Sequence, residues 1–229
     1  MELVNRYKIN ARHLRFGRGK EKLQELWDTV LAERDLDALL HQPNEHLFVV
    51  DVEKNQVKEY AAKGMHIESS TFYPLMEYGE DMINIHTHPI GSFRLNDEEG
   101  VTLSCSDFPS LTDLNSLLDA TLHYSLEYGT YTPSVDYILG WGDYDNRSIH
   151  LIRYRFTKEL IDYLLSDESE REDRIEDFRE NLQTALNIVG DDKYRRVNFS
   201  DEMYRELNEN FPYDFKVLKR TTLKADPVA

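Results

Sequence analysis

The sequence predicts an α/β domain in which helices flank a mixed β-sheet, followed by a helical C-terminal extension. Three observations carry that prediction. Apolar residues switch repeatedly between strand and helix periodicity up to about residue 156. The resulting order is helix, hairpin, strand, helix, hairpin, helices, the alternation of a layered α/β sandwich. After Lys158 the character changes to helices. A chain of 229 residues is long enough for one domain with a sizeable core. Its 40% hydrophobic content, with 14 Tyr and 10 Phe, is that of a globular protein.

Each element has a local reason. Residues 1–18 carry Arg6, Lys8, Arg12, Arg15 and Arg18 and read as a short strand or arm. From Lys20 to Leu40, the positions Leu23, Leu26, Trp27, Val30 and Leu31 keep helical spacing until Pro43-Asn44 breaks the chain. Glu45–Val52 reads as a strand that turns at Glu53-Lys54-Asn55-Gln56 into a partner near Val57–Tyr60. A weaker strand pattern covers Thr71–Leu75, and a strong one covers Met82–His88. The segment 90–108 is polar. Ser110–Leu126 is helical, with Leu111, Leu114, Leu117, Leu118, Leu122 and Leu126 facing a core. Val135–Leu139 and Ile149–Phe156 form a hairpin across Asp143-Tyr144-Asp145-Asn146. Beyond residue 158, Leu160, Ile161, Leu164 and Leu165 line one helix face. Ile175, Phe178, Leu182, Ala185, Leu186 and Val189 line another, across a charged hinge at 166–173.

The chemistry concentrates at His86-Thr87-His88-Pro89. Side chains two apart on a strand share a face, so His86 and His88 point the same way. Pro89 lacks an N–H and ends the strand. A carboxylate at the start of the following helix brings the donors to three, the number a catalytic zinc uses while keeping one position open. Asp113 suits that place, since Ser110-x-x-Asp113 is close to a capping box that would fix both residues. Ser104-Cys105-Ser106-Asp107 has the same spacing, so Asp107 is the alternative. On the residues alone both carboxylates stay open.

In this combination the chain resembles the JAMM (JAB/MPN) metalloproteases. Their signature of an upstream glutamate, His-x-His-Pro and Ser-x-x-Asp is matched in order by Glu45, His86, Thr87, His88, Pro89, Ser110 and Asp113. The resemblance covers roughly residues 20–156. It implies an MPN/JAB-like sheet flanked by helices and a catalytic domain over 19–157, between an arm over 1–18 and a helical extension over 158–229. It further implies a Zn2+ ion held by His86, His88 and Asp113, with Glu45 as general base and Ser110 as hydrogen-bond donor to the developing oxyanion. The implied substrate is a ubiquitin-like protein, conjugate or precursor, cleaved at an amide or isopeptide bond. On the residues alone, Glu53, Glu59, Glu68, Glu77 and Glu80 compete with Glu45 for the base. The long segment 90–108 between the metal-ligand positions is expected to gate or contact the substrate.

Composition narrows the alternatives. The net charge of −16 repels phosphate backbones, so nucleic acid is not expected as a partner. Cys105 is the single cysteine, which excludes an intrachain disulfide and a zinc ribbon. No run of 18 apolar residues and no signal-peptide core is present, and a cytoplasmic protein is expected. The oligomeric state stays open. A barrel hydrolase using a strand-end His-x-His needs about 250 residues. The remaining alternative is a non-catalytic MPN-like scaffold. His41, His46, His66, His123 and His150 are expected to be structural or surface residues, with His150 able to face solvent.

Overall fold

The computed structural model describes residues 2–14, 23–42, 44–61, 75–76, 81–88, 109, 111–143, 148–191, 213–217 and 221–222. Strand β1 (Glu2–Lys8) leads to a 3-10 turn (Arg12–Leu14). Helix α1 (Leu23–Leu26) continues into a π turn (Trp27–Leu31), and α2 (Leu36–His41) follows. The hairpin β2 (His46–Asp51) and β3 (Gln56–Ala61) precedes β4 (Met82–His88). Helix α3 (Leu111–Tyr128), the hairpin β5 (Asp136–Asp143) and β6 (Ser148–Phe156), α4 (Lys158–Leu165) and α5 (Arg171–Asp191) come next. Strands β7 (Tyr213–Val217) and β8 (Thr221–Thr222) complete the order.

Among the described residues the strands form an eight-stranded mixed sheet in the order β1-β3-β2-β4-β5-β6-β7, with β8 also pairing with β6. Of these pairings only β4–β5 is parallel. Parallel neighbours need a crossover rather than a hairpin, and α3 lies in that crossover. Both faces are covered. On one, Leu26, Trp27, Val30, Leu31 and Leu40 from the N-terminal helices pack with Phe48, Val50, Ile83, Ile85, Tyr137 and Leu139. On the other, Leu114, Leu117, Leu118, Ile161, Leu164 and Leu182 pack with Ile138, Ile152, Tyr154 and Phe156. Burial on both sides explains why β2 is buried at every position and why Leu47-Phe48-Val49-Val50 within it is apolar without alternation.

The expected α/β class and its central elements are present, with three differences. The helix expected over 20–40 is not continuous. A turn separates the π segment from α2, where the Asp35 side chain accepts a hydrogen bond from the Ala38 N–H at 3.0 Å and caps a new helix. The C-terminal region is not helical throughout, because β7 pairs antiparallel with β6, Phe215 opposite Tyr154. Alternation in Tyr213-Asp214-Phe215-Lys216-Val217 fits that edge position. Finally, of the strand expected at Thr71–Leu75, only Leu75 lies among the described residues, in a 3-10 turn. No helix among the described residues is long and apolar enough to cross a membrane.

Candidate metal centre

β4 delivers the two histidines. Ile83 and Ile85 enter the core beneath α1 and α2, so alternation turns Asn84, His86 and His88 to the α3 face. His86 is buried, and His88 at the strand end is half-buried. Asp113 lies in the first turn of α3 and is buried. The helix is anchored there by Leu114, Leu117 and Leu118, which sit in the same apolar cluster as Ile138 and Ile152. Asp113 is thereby brought against β4 by helix packing.

The three side chains converge. Nε2 of His86 lies 3.2 Å from Nε2 of His88, and the rings are tilted by 51° at a centroid separation of 5.0 Å. Asp113 Oδ1 is 3.6 Å from His86 Nε2, and Oδ2 is 3.6 Å from His88 Nε2. Their ligand atoms all lie within 4.8 Å of one another, a group able to hold a metal ion. Tetrahedral geometry with bonds of about 2.0–2.1 Å requires ligand atoms about 3.3–3.4 Å apart. The observed spacings bracket that value, and the donors, two imidazole nitrogens and a carboxylate, are of the type a borderline cation prefers. Burial pushes the Asp113 carboxyl up, but the charges and hydrogen bonds of His86 and His88 outweigh it and hold the group well below the usual carboxylate range.

Glu45 reaches the same site through strand register. The β2–β4 pairing runs from Asp51 opposite Met82 to Leu47 opposite His86. Continued two residues, this register sets Glu45 against His88 on the same face. Glu45 is half-buried. Burial raises its carboxyl above the ordinary value, against the downward pull of His88 and His86 and with a further upward push from Asp113. The carboxylate thus feels all three members of the donor group.

Ser110, Asp107 and the segment 90–108 lie outside the described residues, as does His66. Among the described residues, Asp113 is the carboxylate found with the two imidazoles. His41 and His123 are exposed, each beside an acidic residue one helical turn away, Asp37 and Glu127 respectively. His150 does not face solvent. It is 1% exposed, and Ser148 Oγ lies 3.4 Å from its Nε2. Its strand is covered on both faces, so alternation there does not mean exposure.

Two participants carried no distinct sequence signal. Thr87 is completely buried, and its Oγ1 accepts a hydrogen bond from the His46 backbone N–H at 2.8 Å. His46 is also buried, with Nδ1 3.1 Å from Glu59 Oε1 and Nε2 3.0 Å from Gln42 Oε1. Only the pairing of β2 with β4 and β3 brings these groups together.

Comparison with known protein families, with characterised proteins and with solved structures finds no significant match to this chain.

Proposed function

We propose that this protein is a zinc-dependent hydrolase of amide or isopeptide bonds, a JAMM-type peptidase with an MPN-like sheet, acting on ubiquitin-like modifier conjugates or precursors. The observation that carries the reading is the convergence of His86, His88 and Asp113 with near-tetrahedral spacing, beside a half-buried Glu45. The ordered resemblance from Glu45 to Asp113 supports it independently.

In this reading His86 and His88 hold the ion through their Nε2 atoms, and Asp113 supplies the third donor and one negative charge. A zinc ion so held would polarise a carbonyl oxygen and acidify a water molecule. Glu45 accepts a proton from the attacking water and returns it to the departing amine, the two halves of general acid–base catalysis. Ser110, immediately before α3 in the chain, donates a hydrogen bond to the oxyanion. Around the site, Leu47 and Ile138 are buried apolar neighbours that limit the water reaching His86.

The test is metal analysis of the purified protein beside His88→Ala and Asp113→Ala, together with cleavage of fusions that carry a ubiquitin-like module. About one zinc per wild-type chain, lost in both variants and accompanied by cleavage, is expected. Metal without cleavage would leave a metal-binding scaffold. Metal content unaffected by both substitutions would overturn the site.

A further inference from the structure

The β2–β4 ladder ends at Leu47 opposite His86. One residue further on, a side chain makes the link between the strands: the buried His46 N–H donates to Thr87 Oγ1 at 2.8 Å. This bond joins the residue lying between the two proposed metal ligands to the residue that adjoins Glu45. Alternation places Thr87 on the face of Ile83 and Ile85, away from His86 and His88. Its hydroxyl therefore acts from behind the strand.

The opposite side of the same joint is held as firmly. The His46 ring is bracketed by Glu59 on β3 and by Gln42 just after α2. Glu59 is ion-paired with Arg34, whose guanidinium lies 4.8 Å from the centroid of the Tyr7 ring on β1. His46 is thus tied through its backbone to β4 and through its ring to β3 and the helical layer. With that residue immobilised, the direction in which Glu45 leaves the strand is set.

We infer that Thr87 is a positioning residue, whose hydroxyl holds the entry of β2 through the His46 N–H so that the Glu45 carboxylate faces the His86–His88–Asp113 group. The consequence for rate rests on the hydrolase reading above, whereas the consequence for the strand does not. Valine keeps the shape of threonine but leaves a buried N–H with no acceptor, a costly state that the strand entry relieves by moving. Displacing a catalytic group by about 1 Å costs up to about a hundredfold in rate. The movement falls on the entry of β2, whereas the metal donors sit on β4 and α3, so metal content is expected to hold.

Thr87→Val and Thr87→Ser, each in the wild-type and the Glu45→Gln background, test this. The measurements are zinc content, kcat and KM on a ubiquitin-like fusion, and hydrogen exchange at the His46 amide by NMR. Thr87→Val is expected to keep its zinc and its KM, lose about ten- to a hundredfold in kcat, and exchange the His46 amide faster. Thr87→Ser is expected to recover both the rate and the protection. In the Glu45→Gln background Thr87→Val should cost nothing further, because the group it positions has gone. Thr87→Ala serves as a second hydroxyl-free variant if the valine protein does not fold. Undiminished His46 protection in the hydroxyl-free variant, an unchanged kcat, or the same fold-loss with and without Glu45 would each overturn the inference. A wild type that holds zinc but cleaves no amide would remove the hydrolase reading alone, and His46 exchange would still decide whether Thr87 holds the strand.

Discussion

His86 and His88 present their Nε2 atoms to each other at 3.2 Å, and each faces a different oxygen of Asp113 at 3.6 Å. Donors this close can all reach one cation placed between them. Metal binding should accordingly stabilise the fold. Free metal at a hundred times Kd adds about 2.7 kcal/mol, so chelation should lower the thermal midpoint of the wild type and leave His88→Ala unchanged. Protons compete for the imidazole nitrogens, so affinity should fall as the pH is lowered. Metal titrations at several pH values, followed by calorimetry, check both the magnitude and the sign.

Replacing Glu45 by glutamine keeps the size of the side chain and removes its capacity to carry a proton. Zinc content should remain at the wild-type level, and amide hydrolysis should drop on the order of 10²–10⁴-fold. Single-turnover kinetics on the zinc-loaded variant measure this directly. Unchanged turnover would assign the base to another group.

Glu59 should make the fold acid-sensitive. Burial pushes its carboxyl up, but the hydrogen bond from His46 and the charge of Arg34 prevail, and its pKa is lowered in the folded state. The unfolded chain then binds a proton more readily than the folded one. Glu59 therefore contributes stability above the unfolded glutamate value of about 4.3, and loses it as the pH falls through the lower folded value. Urea midpoints of wild type and Glu59→Gln, measured from neutral to acid pH, should converge as the pH drops. A gap independent of pH would show that the carboxylate charge contributes nothing.

Gly129, which follows α3, has φ at +64°, and a Cβ built there meets no atom within 4 Å. Space is open, so any cost of Gly129→Ala comes from the backbone conformation. The left-handed region costs an L-residue about 1–2 kcal/mol. Chemical denaturation should show a loss of that size. An unchanged or raised midpoint would mean that the end of α3 rearranges without penalty.

Much of this molecule was legible in the chain because its cues are local. Met82–His88 shows strand periodicity closed by a proline, and the same periodicity puts His86 and His88 on one face. The leucine spacing after Ser110 identified α3, and the turn residues between 52 and 56 and between 143 and 148 marked both hairpins. Local cues did not separate Glu45 from Glu59. Both flank or occupy strands of the same hairpin, and either has the chemistry of a base. Register separates them. Pairing Leu47 with His86 turns Glu45 toward the face of His86 and His88, whereas Glu59 lies on the opposite face, bound to Arg34 and His46. The burial of His46 and His150, the arrival of β7 beside β6 and the link from Thr87 to His46 are likewise contacts between residues distant in sequence. Periodicity determines that a strand or helix forms and which side chains share its face. Which face meets which partner is decided only when the sheet closes its ladder and the helices bury its two sides.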